Sequence, residues 1–492
     1  MNQAPSFDGN PMFQGFGRPV RQESDLRDCE VIGQLPADLE GSFYRVGPDY
    51  QYPPRLPNIP FDGEGHLCLF RFSGGRVDFR SRYVRTERYT AQAKAGRALY
   101  GTYRNPFTDL PEVAGLSRGT ANTNVIYHHG RLFALKEDSP PVAVDPHTLE
   151  TTDPVYRFGG QMTAETFTAH PKLDSETGEL VGIAYEAKGM ASRDVACYAF
   201  DRHGQKTWEA WIEVPYAGMI HDFAITRSYL ALLVVPMVTD VERMKAGHVH
   251  FAWDSTLPTW LGVMRRDGDG SDLRWFRGPE RCATHVMGAF EDGTRLQIDM
   301  DMGLKNQFPF FPQRDGSPFD PVAAQGHVVR LSVDLADKSR PNYEMETLYP
   351  HQGVLSRQDD RYHSVPYNTG FMLTLDPLAP FDSRLAAAMP FRPQNQWTRF
   401  DHDRRRATSW FVGPDSGLQE CCFAPRRPDA PEGEGYLIGV ANRYLENRHD
   451  LVVLDAQRLA DGPIATVRLP TRIPGQVHGW WVPGTTLAAT RL

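Results

Sequence analysis

Long apolar runs are missing from this chain of 492 residues. The longest, residues 229–238, spans about ten positions, whereas a helix needs about twenty to cross a bilayer. No stable membrane insertion is therefore expected. Basic runs are missing as well: 53 Lys and Arg stand against 61 Asp and Glu, for a net charge of −8. Proteins that follow a nucleic-acid backbone do so with clustered Lys and Arg, so nucleic acid is excluded as the expected partner. The opening MNQAPSFDGNPMFQGFGRP lacks the basic-then-apolar order of a secretory leader. Cysteine is scarce, with six residues (Cys29, Cys68, Cys197, Cys282, Cys421 and Cys422) and no C-x-x-C pair. Disulfide frameworks belong to short secreted chains. Reduced thiols, mostly buried as small apolar side chains, are expected here, with a reactive pair as the lesser alternative for the vicinal Cys421 and Cys422. These absences point to a soluble, cytoplasmic protein.

Helical periodicity is also sparse, confined to stretches such as residues 86–99 and 384–389. What fills the chain is short strand-like runs between 43 glycines and 39 prolines spread from end to end. HLCLFRF, RLFAL, ELVGIAYEA, VACYAFD, YLALLVV, HVVRLSVD, GFMLTL, GYLIGVAN and DLVVLD are rich in β-branched and aromatic residues and are bounded by turn formers. PVAVDPHTLETTDPV and DLVVLDAQRLADGPI share one plan: apolar strand, Asp, turn, Leu, second strand. Length alone suggests about three domains. Evenly spaced strands without βαβ alternation instead favour radial repetition, an all-β propeller of about seven blades with loops elaborated on one face. The alternative is a pair of β-sandwiches. No boundary divides the chain, so residues 1–492 are read as one propeller domain, with about 1–25 as an N-terminal extension.

Most of the sixteen histidines read as ordinary. His248 and His250 form the only H-x-H and look like a polar strand edge; His128 and His129 precede Gly130 as a hairpin approach; His402 reads as a solvated loop. Four others sit at predicted strand ends: His170 in TFTAHPK, His221 in GMIHDFAIT, His285 in CATHVMGAFEDG and His478 in PGQVHGWWVP. They are 51, 64 and 193 residues apart, too far for a local motif. On a propeller axis, where inner strands converge, such spacing is compatible with one site. Taken singly, each reads as a core or loop histidine.

GSFYRVGP (41–48), FDGEGHLCLFRF (61–72), TAHPK, HDFAIT, H-x-x-x-A-F-E-D-G and HGWWVP occur in this order along the chain. Together they resemble the carotenoid cleavage oxygenases, non-haem iron enzymes that split a conjugated double bond with dioxygen. The resemblance runs nearly end to end. It implies a seven-bladed propeller with loops and short helices capping an axial Fe2+, one per chain, with O2 as co-substrate. It makes His170, His221, His285 and His478 the iron ligands. Four neutral imidazoles hold Fe(II) without cancelling its charge and leave positions for dioxygen. Glu137 (FALKED) and Glu420 (GLQECCFAP) match glutamates that accept the far N–H of ligating histidines; otherwise they read as salt-bridge partners in loops. A third such glutamate is expected within GVLSRQDDR, where Val354 stands instead.

Within the family the chain looks most like the lignostilbene dioxygenases. Lys136 and Tyr103 carry that likeness, at positions where these enzymes pair a lysine and a tyrosine. A lysine in an apolar cavity needs a reason; otherwise Lys136 reads as a surface strand residue. A phenol supplies the reason, because an ammonium favours the phenolate and lowers a pKa of about 10. The phenolate pushes electrons into the alkene, making it a nucleophile toward dioxygen. Closure through a dioxetane-like or epoxide-like intermediate gives two aromatic aldehydes. Phe61 matches a ring-stacking position, and Thr123 a threonine near the iron. Phe308, Phe310 and Phe311 are tunnel-wall candidates by composition, equally readable as core. The expected substrate is a small phenolic stilbene, and the subfamily resemblance implies a homodimer. An apocarotenoid cleaver and a non-catalytic propeller binding module stay open beside it.

Overall fold

The computed structural model describes residues 6–389 and 392–488. The strand-like runs are strands throughout. RLFAL is the strand Arg131–Leu135, VACYAFD falls in Asp194–Phe200 and GYLIGVAN in Gly435–Arg443. The hairpin between Asn124–His128 and Arg131–Leu135 closes through His129 and Gly130, both at positive φ, with His128 paired to Arg131. That is the two-residue turn whose twist matches right-handed strands. The helix Glu87–Ala95 lies within the first expected stretch, and Ser383–Ala388 overlaps the second, starting one residue before it.

The sheets are antiparallel and radiate as seven blades. Their innermost strands, in chain order, are Asn124–His128, Lys172–Leu173, Phe223–Ile225, Cys282–Asp292, the end of Glu344–Gln358, Ser416–Pro425 and His478–Pro483. Two blades form one seven-stranded sheet because the long strand Glu344–Gln358 serves both. Its first residues pair outward with Gly326–Asp334, and 352–358 pair with Thr369–Leu375.

The ring closes with strands from both ends of the chain. His478–Pro483 pairs antiparallel with Gly41–Asp49, Gly41 opposite Pro483 and Val46 opposite His478. The preceding blade takes Glu30–Gly33 as its outer strand, against Pro463–Arg468. The N-terminal extension is folded onto the propeller from Phe13, whose buried ring meets Tyr50 edge-on at 4.9 Å. Apolar layers fill the space between blades. Phe158 stacks on Phe200 with ring centroids 3.7 Å apart, in a layer that also holds Phe133 and Phe167. All six cysteines are buried free thiols. Among the described residues no helix is long and apolar enough to cross a membrane.

Candidate metal centre and cavity

Every inner strand begins or passes at the axis, and four of them bring a histidine there. His170 and His221 lie just before their strands, His285 sits inside Cys282–Asp292, and His478 starts the last. A register irregularity between Ala283 and Val286 interrupts the pairing around His285. One ligand atom from each of the four rings lies within 4.8 Å of all the others. Nε2 of His170 is 3.2 Å from Nε2 of His221. Nε2 of His285 and of His478 are buried without a hydrogen-bond partner among the described residues. Buried polar atoms are seldom left unpaired, and these aim at one shared space, so the donor set fits a cation bound by nitrogen. Burial holds His170 well below the usual histidine range and brings His478 down to about 4, which keeps both rings neutral with lone pairs free.

Carboxylates orient the rings from outside. Glu137, following Arg131–Leu135, accepts from Nδ1 of His221 at 2.7 Å, and its other oxygen accepts from Tyr185 at 2.9 Å and Arg104 at 3.4 Å. Glu420 accepts from Nδ1 of His478 at 2.7 Å, from the Gly479 amide at 3.0 Å and from Arg357 at 3.2 Å. Burial alone would raise both carboxyls. The histidine and arginine beside each outweigh it and hold each at about 2. An Nδ1–H donated outward leaves the Nε2 lone pair facing the cluster.

The third carboxylate is not where the resemblance placed it. Val354 is an apolar wall residue opposite Leu373, and the acid beside His285 is Asp301 on the neighbouring strand Arg295–Gly303. Its Oδ2 lies 3.4 Å from Nδ1 of His285 and accepts from Ser356 N–H and hydroxyl at 3.2 and 3.1 Å; Oδ1 accepts from Thr284. The bulge at 283–286 lets an acid on the adjacent strand reach a ring that ladder spacing alone would not have marked.

Beside the cluster opens an apolar cavity of about 400 Å³, reached by His221, His285 and His478. Lys136 and Tyr103 line it, both buried, with Nζ 4.9 Å from the centre of the Tyr103 ring. Nζ donates to Thr120 Oγ1 at 2.9 Å and the Phe61 carbonyl at 3.3 Å, and stands 3.7 Å from Asp138. Lys136 is thus no surface strand residue. Burial lowers its pKa, opposed by Asp138 and Asp62. Phe61, Phe308, Phe310 and Phe311 also line the cavity, with Phe61 edge-on to Phe310 at 5.3 Å. Thr123 lines it too, and its carbonyl accepts from the His478 amide at 3.3 Å.

Two ordinary histidines read differently in space. His250 is no strand edge: it is buried, bonded to Glu186 at 2.9 Å and beside the Met244 sulfur. His402 is half-buried against Tyr349 and Tyr367 rather than solvated.

Residues 17–483 match the family described as retinal pigment epithelial membrane protein, RPE65. The chain belongs to this family, the carotenoid cleavage oxygenases. Within the family it is 43% identical over 478 residues to lignostilbene-alpha,beta-dioxygenase isozyme III of Sphingomonas paucimobilis, covering 96% of this chain and 97% of that one. It is 40% identical to an isoeugenol monooxygenase of Pseudomonas nitroreducens, covering 96% and 98%. The crystal structure of Pseudomonas brassicacearum lignostilbene dioxygenase superposes with a TM-score of 0.94 at 40% identity, covering 98% of this chain and all of that one. The chain is accordingly an oxygenase on a seven-bladed propeller.

Proposed function

We propose that the protein cleaves the central double bond of 4-hydroxystilbenes with dioxygen, giving two aromatic aldehydes. The observation that carries the reading is Lys136, a buried lysine on the wall of an apolar cavity that ends on three of the four clustered histidines. His170, His221, His285 and His478 would hold one Fe(II), with Glu137, Glu420 and Asp301 orienting three of the rings. Bound there, iron supplies the redox chemistry that makes dioxygen reactive.

The chain's own residues do the rest. Lys136 and Tyr103 bind the phenol oxygen, and the ammonium favours its ionised form. The phenolate oxygen then donates through the ring into the alkene. Both alkene carbons gain one oxygen atom from the same O2, so no further reductant is needed. Phe61 and the 308–311 aromatics hold the rings flat and keep water out. The homodimer implied by the subfamily resemblance belongs to the same proposal.

An apocarotenoid has no phenol for Lys136 to act on, which is why that reading ranks below. A 4-hydroxypropenylbenzene fits the same phenol end, and the isoeugenol monooxygenase relative makes it the second substrate to assay. Purified, iron-loaded protein should convert 4-hydroxystilbene to aldehydes and leave an apocarotenal intact. Turnover of the apocarotenal alone overturns the substrate assignment; a protein that takes up no iron and turns over neither is a binding module.

A further inference from the structure

We propose that Gln307 reads the half of the substrate remote from the phenol, and that this end of the cavity takes an uncharged, hydrogen-bonding ring rather than an ionised one. The inference rests on the stilbene reading and deepens it. Gln307 lines the cavity, yet both polar atoms of its amide are buried with no hydrogen-bond partner among the described residues. An amide stripped of water and left unpaired is costly unless something in the cavity bonds it.

The backbone holds it there. Asn306 beside it ties the turn down, its side chain bonding the Phe311 carbonyl at 3.0 Å and the Phe308 amide at 2.8 Å. The Gln307 side chain lies over two glycines. A methyl built on Gly303 would fall 3.0 Å from its Cγ, and one on Gly326 would fall 2.8 Å from its Nε2 and 2.7 Å from the Gly353 carbonyl. Only glycine leaves that seat open. The same seat on Gly326 puts the amide at the strand of Gly353, in the fifth blade, across the ring from the first blade, which carries Lys136; Val354, Leu355, Leu373 and Leu418 line the same cavity.

Charge completes the argument. The charged residues lining the cavity are Lys136, beside Tyr103, and Glu137 and Glu420, each bonded to a histidine. Among the described residues no cation lines the wall around Val354. A substrate carboxylate there would lose its water with nothing to replace it. A hydroxyl or methoxy group would instead bond the Gln307 amide.

The test uses three compounds sharing a 4-hydroxystyryl half, with a second ring that is plain, 3,4-dimethoxy, or 4-carboxylate. Steady-state kinetics and binding titrations are run on the iron-loaded wild type and on Gln307→Leu, with metal content measured in parallel. The carboxylate should bind and react about a hundredfold less well than the plain ring. Gln307→Leu should weaken the oxygenated compound about two- to tenfold through KM, the worth of a neutral hydrogen bond, so that its advantage over the plain ring collapses. If that variant loses metal, Gln307→Met replaces it. Equal handling of carboxylate and plain ring overturns the proposal, as does a Gln307 variant that changes the plain and oxygenated rings alike. Discrimination in the binding titrations without any cleavage upholds Gln307 and instead defeats the assigned reaction.

Discussion

Replacing Lys136 by Met keeps the stem and deletes the charge. The stem is buried, and Nζ has Thr120 Oγ1 at 2.9 Å and Asp138 at 3.7 Å. Asp138 keeps Arg104 Nε at 3.7 Å, so the variant strands no carboxylate and should fold. What it loses is one charge-assisted hydrogen bond to the phenol oxygen, about 1.5–3 kcal/mol. At about 1.4 kcal/mol per decade, kcat/KM on 4-hydroxystilbene should fall about ten- to a hundredfold. A 4-methoxystilbene, which cannot ionise, should be as poor for the wild type as the hydroxy compound is for the variant. Tyr103→Phe should cost less, about 0.5–1.5 kcal/mol.

The pH profile gives a second readout. Burial lowers the Lys136 pKa from its ordinary 10.5, so the useful cation disappears at a pH below that value. Between the lowered and ordinary values the unfolded chain binds more protons, so this group makes the fold more stable as pH rises. An alkaline loss of activity in that window is therefore not unfolding driven by Lys136. Rates are read from loss of stilbene absorbance and appearance of aldehyde. Equal rates on the hydroxy and methoxy compounds, with Lys136→Met unimpaired, would refute the phenolate mechanism.

Alanine at His285, or at any of the other three histidines, should lower iron per chain and turnover together, measured by metal analysis on purified protein; full iron with normal turnover removes that residue from the site. Asp301→Asn and Glu137→Gln should each keep the fold and weaken metal retention against a chelator, and the Asp301 effect should persist in a Val354→Ala background. Glu186, between Arg104 at 2.8 Å and His250 at 2.9 Å, is pulled down to about 2 from 4.5 against the effect of burial. Its contribution to stability is complete above 4.5 and lost as pH falls toward 2. Urea unfolding at pH 6 and pH 3 should show Glu186→Gln with a flatter pH dependence than wild type; equal slopes count against the pairing.

Strand positions were legible because their causes are short-range. RLFAL or DLVVLD needs no distant partner to prefer extended backbone, and a Gly or Asp at its end marks the turn. Lys136 was legible only through the family resemblance, since in RLFALKED it ends an apolar run, is followed by Glu137 and Asp138, and by itself reads as a surface strand residue. Asp301 was not, because in LQIDMDMG it looks no different from Asp299, which serves an ordinary pairing with Arg330 at 2.7 Å. Only the bulge around His285 separates the two. Gln307 and His250 escaped for a similar reason: an amide or imidazole is common on surfaces, and its burial depends on what the rest of the chain lays over it.

The order of residues supplies the atoms that are available: four imidazoles, the carboxylates to orient them, a lysine for a phenol, and strands short enough to build blades. These follow from side-chain chemistry and from preferences acting over five to eight residues. Which of them meet depends on how the blades pack together. His170 and His478 are separated by more than three hundred positions, yet their ring centroids stand 4.5 Å apart. That distance depends on the stacking of all seven blades and on Gly41–Asp49 pairing with His478–Pro483 to close the ring. Closure sums small angles and apolar contacts from the whole chain, and no local window of sequence contains that sum.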